Sequence, residues 1–381
     1  MQRKSKIVAI NSLFLIPGGV GGTEVFFRRQ IEELARIKTD NKYIIYANFE
    51  NKDTFGKLPK NFKIYNTGVK AKDRLSRVLF EQAILPFLLF RDSVDLLHSP
   101  GYTTPILTHC PKITTIFDLN YHFHPEDFSL FQRFVYSILI PLGAHSSNKI
   151  VVHSFKARSE MNKILKVDKD KIEVIYGGVP DDFKKDISKS ESLKFISKYG
   201  IKPPYILANA TIHLHKNLDN LIRAFSILAN KKKFLNHKLV LIGIHGTAYK
   251  RIDKLMDDLQ IRDRVIFTNN WIDHKYMKYF NRLADVFVMP SFYEGFGLPT
   301  AEAMACGTPL VVSKYSCNPE IAGDGGLVVD SKKPKEMAIA IEKVVVNKGL
   351  REKLIKAGKR RAEIFSWKEL GQKIYNLYNA Y

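Results

Sequence analysis

The stretch DVFVMPSFYEGFGLPTAEAMACGTPLVVS, from Asp285 to Ser313, constrains the fold of this chain more than any other. It reads as a strand (Val286 to Met289), a glycine-bearing loop, a short helix and a second strand (Leu310 to Val312). Pro299 and Thr300 open the helix, Ala301 to Cys306 are good helix formers, and Gly307 stops it. Two carboxylates stand out: Glu294 in the loop, and Glu302 in the helix's first turn. The turn SFYEGFGLP sets backbone N–H groups at the carboxyl end of a buried strand, along a helix axis whose N-terminus is electropositive. That is a place for an anion such as a diphosphate. Carboxylates on either side would repel the anion if phosphate were the whole ligand. They fit if they hold hydroxyl groups while the amides hold phosphates, and a nucleotide sugar has both parts.

The rest of the chain repeats the same alternation. Apolar runs at Ile7–Leu15, Tyr43–Ala47, Phe62–Tyr65, Val94–His98, Ile113–Phe117, Ile150–Val152 and Ile172–Tyr176 are separated by helical stretches. A polar, charge-rich stretch from Val179 to Gly200 lacks a clear strand, and a second series follows it: Tyr205–Ala208, Leu239–Ile244, Val265–Thr268, Val286–Met289, Leu310–Val312 and Leu327–Val329. Strands alternating with helices predict a parallel α/β sheet. A length of 381 residues allows two such domains, each with its own core. The expected division is an N-terminal Rossmann-like acceptor domain over 1–180, a linker over 181–200, and a nucleotide-sugar donor domain over 201–364. An amphipathic helix over 365–381 would pack back towards the first domain. Doubly wound sheets bind ligands at the carboxyl ends of their strands. The turn Pro17–Glu24 after the first strand, with Gly21 and Gly22, can cradle phosphate, but its spacing is not that of a dinucleotide fingerprint.

Composition narrows the classes. Hydrophobic residues at 45% and charged residues at 26% suit a soluble globular chain. A net charge of +22 draws phosphates of some kind, whether nucleic acid, anionic lipid or phosphorylated substrate, or else marks a solvated basic surface. Cys110, Cys306 and Cys317 form neither a CxxC nor a set at metal spacing, so no disulfide framework and no metal site is expected. The basic and apolar N-terminus resembles a signal peptide superficially, yet Asn11 and Ser12 interrupt it and a first buried strand is expected. No apolar run approaches the ~20 residues that span a bilayer. A cytoplasmic chain, or one on the cytoplasmic face of a membrane, is expected. The stretch KAKDRLSRVLFEQAILPFLLF, Lys70 to Phe90, reads either as a helix lying on an anionic membrane or as a buried helix with a basic end.

With these residues in place, EGFGLPTAEAMACGTPLVVS resembles the signature of retaining glycosyltransferases of family 4, the group 1 glycosyltransferases, and in particular their mannosyltransferase-like branch. Further segments match in order: GGTE at Gly21–Glu24, the FDL to HPE stretch at Phe117–Glu126, KIEVIYGGV at Lys171–Val179, HLHKN at His213–Asn217, DRVIF at Asp263–Phe267 and CNPEIAGDGGLVVD at Cys317–Asp330. The resemblance implies the GT-B fold, two doubly wound Rossmann-like domains facing each other across a cleft. It implies that Glu294 contacts hydroxyls of the donor sugar and that the amides of Gly295, Phe296, Gly297 and Leu298 meet sugar and diphosphate. Glu302 would hold the ribose hydroxyls, and Lys216 would neutralise the leaving diphosphate. Gly21, Gly22, Thr211 and His215 join the donor-binding set, and Asp118, His122 and His124 are candidate acceptor or sugar contacts. Neither an obligate metal nor a covalent nucleophile is implied, and the only co-substrate is the nucleotide-diphosphate sugar.

Three positions depart from the family pattern. Phe117 stands where many relatives carry a histidine, and Ala210 and Thr211 stand where they carry glycine and arginine. His213 or His215 are candidate substitutes for that missing cation. The function implied is transfer of a hexose, with GDP-mannose as the donor of similar branches, to a glycan or polyprenyl-diphosphate-linked acceptor in bacterial surface polysaccharide assembly. The alternatives are a sugar-nucleotide-binding homologue with little activity and a basic nucleic-acid-binding protein. The second would need basic residues interleaved with aromatics on one face, which the chain lacks. An NAD-dependent oxidoreductase is disfavoured by the absence of GxGxxG after the first strand.

Overall fold

The computed structural model describes residues 5–244, 246–268 and 272–381. The chain forms two compact units. The first comprises the chain up to His122, Phe128–Gly177 and Trp367–Tyr381; the second comprises Phe123–Asp127 and Gly178–Ser366.

In the first unit, β1 (Ile7–Asn11), β2 (Lys42–Ala47), β3 (Phe62–Asn66), β4 (Leu96–Ser99), β5 (Lys112–Thr115), β6 (Lys149–Val152) and β7 (Ile172–Val174) form one parallel sheet in the order β3-β2-β1-β4-β5-β6-β7. Its central strands β4 and β5 are buried along their whole length, polar residues such as His98, Ser99 and Thr114 included, as in a parallel sheet with both faces covered. The first strand ends at Asn11, four residues short of the apolar run that suggested it. Leu13 and Leu15 are buried, but the Asn48 side chain donates to their carbonyls at 3.0 and 2.8 Å, so a turn replaces the ladder there.

The C-terminal helix Trp367–Ala380 belongs to this unit and lies against helix Gly22–Arg36. At Gly371 an added Cβ would stand 2.4 Å from Glu33 Cβ, so only glycine allows the two backbones this approach. Farther along, the Tyr378 hydroxyl meets His98 Nδ1 at 2.7 Å and accepts from Gln30 Nε2 at 3.3 Å. His98 Nε2 reaches Thr115 Oγ1 at 2.9 Å. Burial and the neighbouring His153 push the His98 imidazole down to about 3, so the ring is neutral and needs its hydrogen bonds. Tyr378→Phe removes both of the hydroxyl's hydrogen bonds and leaves His98 Nδ1 with Gln30 Nε2 alone, at 3.2 Å, so it is expected to cost about 1–2 kcal/mol. Denaturant unfolding checks this.

The second unit holds β8 (Tyr205–Asn209), β9 (Lys238–Ile242), β10 (Val265–Thr268), β11 (Val286–Met289), β12 (Leu310–Ser313) and β13 (Gly326–Val329), parallel in the order β10-β9-β8-β11-β12-β13. The core packs Leu239, Leu241, Val286, Val288 and Val311 against Leu221, Phe225 and Leu228 of helix Leu218–Ala229 and Ile341 and Val344 of helix Pro334–Val346. Strand order reverses between β8 and β11, so the turns that follow these two strands lie side by side. Residues 181–200, read from their polarity as a linker, carry helices Asp181–Lys184 and Lys189–Ile196 in this unit. Phe195 stacks on Tyr276 and Tyr279 at 4.7 and 4.8 Å, and Asp182 pairs with Lys278 at 2.7 Å. The longer of these helices buries only Ser192 and Ile196, which is why its pattern is faint.

Candidate active site

The turns after β8 and β11 meet at the carboxyl end of the second sheet. The Phe292 amide donates to the His215 carbonyl at 2.8 Å, and Asn217 Nδ2 donates to the carbonyls of Pro290 and Ser331 at 3.0 and 2.9 Å. Asn217 adopts a left-handed conformation (φ 56°), which lets the turn close and the following helix begin at once. Across this junction Lys216 Nζ donates to Glu294 Oε1 at 2.8 Å. Both side chains are mostly shielded, at 19% and 12% exposure. Burial alone would raise the Glu294 carboxyl, but the Lys216 ammonium, with His215 beside it, outweighs burial and holds it below the usual glutamate range.

The Glu294 backbone is clamped as well. Its amide donates to Ser316 Oγ at 2.9 Å, and its carbonyl accepts from that hydroxyl at 2.7 Å and from Cys317 Sγ at 3.2 Å. Gly297 then turns the chain into helix Leu298–Ala305 with φ 82°, a conformation that costs any other residue strain. Leu298 and Phe296 are buried, and the Phe296 ring packs edge-on against Phe365 at 5.3 Å, so what Phe296 can offer a ligand is its backbone. Glu302 is buried and hydrogen-bonds His274 Nε2, whose ring stacks on Phe183 at 5.7 Å. A buried carboxylate with a histidine on one oxygen is suited to holding a pair of hydroxyls.

The structure thus joins Glu294, Lys216 and His215 directly and sets Glu302 one helical segment away. His124 lies in the same unit, its ring 5.7 Å from that of His215 and 6.0 Å from Tyr293. Gly21, Gly22, Asp118 and His122 belong to the first unit. There Gly21, at φ 54°, precedes helix Gly22–Arg36, and the Gly18 amide donates to Glu24 at 2.8 Å. Asp118 accepts from the Tyr102 hydroxyl at 3.1 Å and from the Asn120 amide at 3.0 Å. Phe117 is buried in an aromatic cluster, 5.3 Å from Phe26 and 4.8 Å from His153. Thr211 is half-buried in the turn after β8. Sequence reasoning missed His274, Asn217, Ser316 and Asp127. Asn217 ends the HLHKN segment and could have been suspected as a turn residue; the others stand in no motif that marks them.

Comparison with known proteins bears on the family and the fold. The family model Glycosyltransferase Family 4 matches residues 20–183, and Glycosyl transferases group 1 matches residues 190–361. An uncharacterized glycosyltransferase of Methanocaldococcus jannaschii is 30% identical over 243 residues, which is 62% of this chain and 61% of that protein. The O-antigen chain mannosyltransferase B of Escherichia coli is 28% identical over 295 residues, 76% of this chain and 75% of that one. The alignment therefore spans about three fifths of the first relative and three quarters of the second. Among solved structures, the HepE protein of Anabaena in complex with UDP and glucose superposes with a TM-score of 0.76 at 15% identity, covering 99% of this chain and 100% of that one. With both domain models matched in order and the two parallel sheets of the GT-B fold in place, the chain belongs to the group 1, family 4 glycosyltransferases.

Proposed function

We propose that the chain is a hexosyltransferase that moves a sugar from a nucleotide diphosphate to a hydroxyl of a glycan or polyprenyl-diphosphate-linked acceptor, with retention of configuration, in surface polysaccharide assembly. The observation that carries this is the Lys216–Glu294 pair at the point where the second sheet reverses its order, with buried Glu302 on the adjoining helix. Open α/β sheets take their ligands at this position. When a donor binds, Lys216 would exchange Glu294 for the diphosphate, freeing the carboxylate for sugar hydroxyls. Glu302 would take the ribose. The C1–O bond to phosphate breaks, the acceptor oxygen bonds C1 on the same face, and its proton passes to the departing phosphate oxygen. Rate enhancement then comes from positioning and from neutralising the leaving group. Gly21, Gly22, Thr211, Asp118, His122 and His124 keep the roles the resemblance implies.

Mannose as the transferred sugar is supported by the mannosyltransferase name of the Escherichia coli relative, and GDP as its carrier is what the family resemblance implies. The test is incubation with GDP-, UDP-, dTDP- and ADP-sugars and a polyprenyl-diphosphate glycan. Transfer from one donor, with the product's anomeric configuration read by NMR, supports the reading. Absence of transfer and of nucleoside diphosphate release with every donor opposes it.

A membrane-borne acceptor is supported by the first unit's surface. Helix Arg74–Leu79, a π-turn over Phe80–Ile84 and helix Leu85–Arg91 run on from one another, and they expose Leu75, Leu79, Phe87 and Phe90. Helix Leu130–Ser146 exposes Leu130, Phe134, Ile138 and Leu142, at every fourth position. Arg74 Nη1 donates to Ser129 Oγ at 3.3 Å, and Gln82 donates to the carbonyl of Thr104 at 3.0 Å, whose methyl abuts Gly143, so the two stretches are neighbours. Exposed Lys70 and Lys72 precede them, and exposed Arg74 opens the first helix. The Lys70–Phe90 stretch is thus neither wholly buried nor wholly exposed. Phe87→Glu with Phe134→Glu is expected to weaken binding to anionic phospholipid vesicles at least about tenfold, since each phenylalanine buried in lipid contributes about 1.5–3 kcal/mol. Vesicle sedimentation of the folded variant checks this.

A further inference from the structure

The segment His124–Asp127, HPED, enters the second unit and ends in a carboxylate that the donor-site residues discussed so far do not account for. Pro125 starts a single 3-10 turn that closes at Asp127. The Asp127 side chain is only 3% exposed. His215 Nδ1 lies 2.5 Å from one of its oxygens, and Thr247 Oγ1 donates to the other at 3.1 Å. His213 Nδ1 stands 3.6 Å from that second oxygen and 3.2 Å from Thr247 Oγ1, and its ring is stacked on that of His215, 5.8 Å away and 11° from parallel.

A carboxylate this deep keeps its charge only if donors are aimed at it. Burial opposes the charge of Asp127, and His213 and His215 beside it, the latter within hydrogen-bond distance, override burial and hold its carboxyl far below the usual range. Burial and the Lys216 charge hold the His215 imidazole below its ordinary range, against the pull of Asp127. The groups that face His215 are therefore Asp127, His213, Lys216, Glu294 and His124, the last itself 3.1 Å from Glu126. In that field a neutral ring with its proton on Nδ1 satisfies the carboxylate.

His215 is also a mechanical junction. Its carbonyl holds the Phe292 amide, and the next residue holds Glu294. We propose that Asp127 is a positioning residue: by fixing His215 as the Nδ1–H tautomer it locks the His213–Asn217 turn where Lys216 meets Glu294 and where the loop after β11 is pinned. Calling this turn part of the donor site rests on the transferase reading above; the lock itself does not.

The test uses the whole protein and reads the lock without ligand. In wild type, the imidazole ¹⁵N spectrum should show His215 protonated at Nδ1 at neutral pH. Asp127→Asn should move that proton to Nε2 and speed hydrogen exchange of the Phe292 amide about tenfold or more, as expected when a charge-assisted hydrogen bond that supports it is lost. His215→Asn, whose amide nitrogen falls where Nδ1 stood, should keep the slow exchange, whereas His215→Leu should not. An unchanged tautomer in Asp127→Asn, or unchanged exchange at Phe292, overturns the proposal. The nucleotide arm is separate. If a nucleoside diphosphate stabilises wild type, Asp127→Asn should bind it about tenfold more weakly; equal affinity also overturns the positioning role while leaving the transferase reading intact. If none stabilises wild type, that reading fails, and tautomer and exchange still decide the lock.

Discussion

Lys216→Ala is expected to lower transfer by about 10²–10³-fold, the usual cost of removing one preorganised charge partner from a developing anion. It should destabilise the chain as well, because Glu294 is then a shielded carboxylate with no cation beside it. The loss of one partner of a buried pair costs about 3–5 kcal/mol, and the residual exposure of both side chains places this case near the lower end. pH separates the two effects. In wild type the Glu294 carboxyl is lowered by Lys216, so its stabilising contribution is present above the unfolded value and fades as pH falls through the folded one. In the variant burial acts with little to oppose it, the folded value rises above the unfolded value of about 4.3, and stability is lost as pH climbs past it. The stability gap between the two proteins should be widest at neutral pH and close towards pH 4. Lys216→Met with Glu294→Gln removes both charges and should recover most of the stability without recovering transfer. Denaturant titrations across pH, beside activity assays, check each part.

Gly243→Ala is expected to reduce transfer about a hundredfold by moving the site rather than altering its chemistry. An added Cβ would stand 2.1 Å from the Ala210 carbonyl oxygen and 2.8 Å from its carbon, so the backbone between β8 and Lys216 must shift. That backbone is otherwise fixed, since the Ala210 amide donates to the Ile242 carbonyl at 2.9 Å. Overpacking of this kind costs about 1–3 kcal/mol, and a displacement near 1 Å of a positioning group costs about 10² in rate. Gly349→Ala is the control, since a Cβ there meets nothing nearer than Asn347 Oδ1 at 3.6 Å. It should leave both stability and transfer near wild type. Equal effects at the two glycines would remove the geometric explanation.

How much of this could be read beforehand depends on whether the cause is local. The strand, loop and helix from Val286 to Ala305 were legible because the apolar run, the glycine at the turn and Pro299 sit within one short segment. The pairing of Lys216 with Glu294 was not legible from either segment, because it follows from β8 and β11 being neighbours, a property of strand order. Only the family resemblance put the two residues in one site. His274 and Asp127 were missed for a related reason: each is a single polar residue whose partner lies far along the chain. The helices within 181–200 are faint in the sequence because they bury few side chains, and the first strand is shorter than its apolar run because side-chain hydrogen bonds from Asn48 satisfy a buried apolar turn. Phe117 illustrates a different limit. Its substitution was visible, but its burial against Phe26 and His153 was not.

Thermal unfolding of the protein with GDP, UDP, dTDP, ADP and, as a control, NAD, in wild type and in Glu302→Ala, decides whether the second unit binds a sugar nucleotide. A nucleoside diphosphate present at a hundred times its dissociation constant stabilises the native state by about 2.7 kcal/mol, which is a readable shift in midpoint. One diphosphate is expected to stand out, and its shift to disappear in Glu302→Ala. A shift from NAD alone, or none from any nucleoside diphosphate, would contradict the transferase reading.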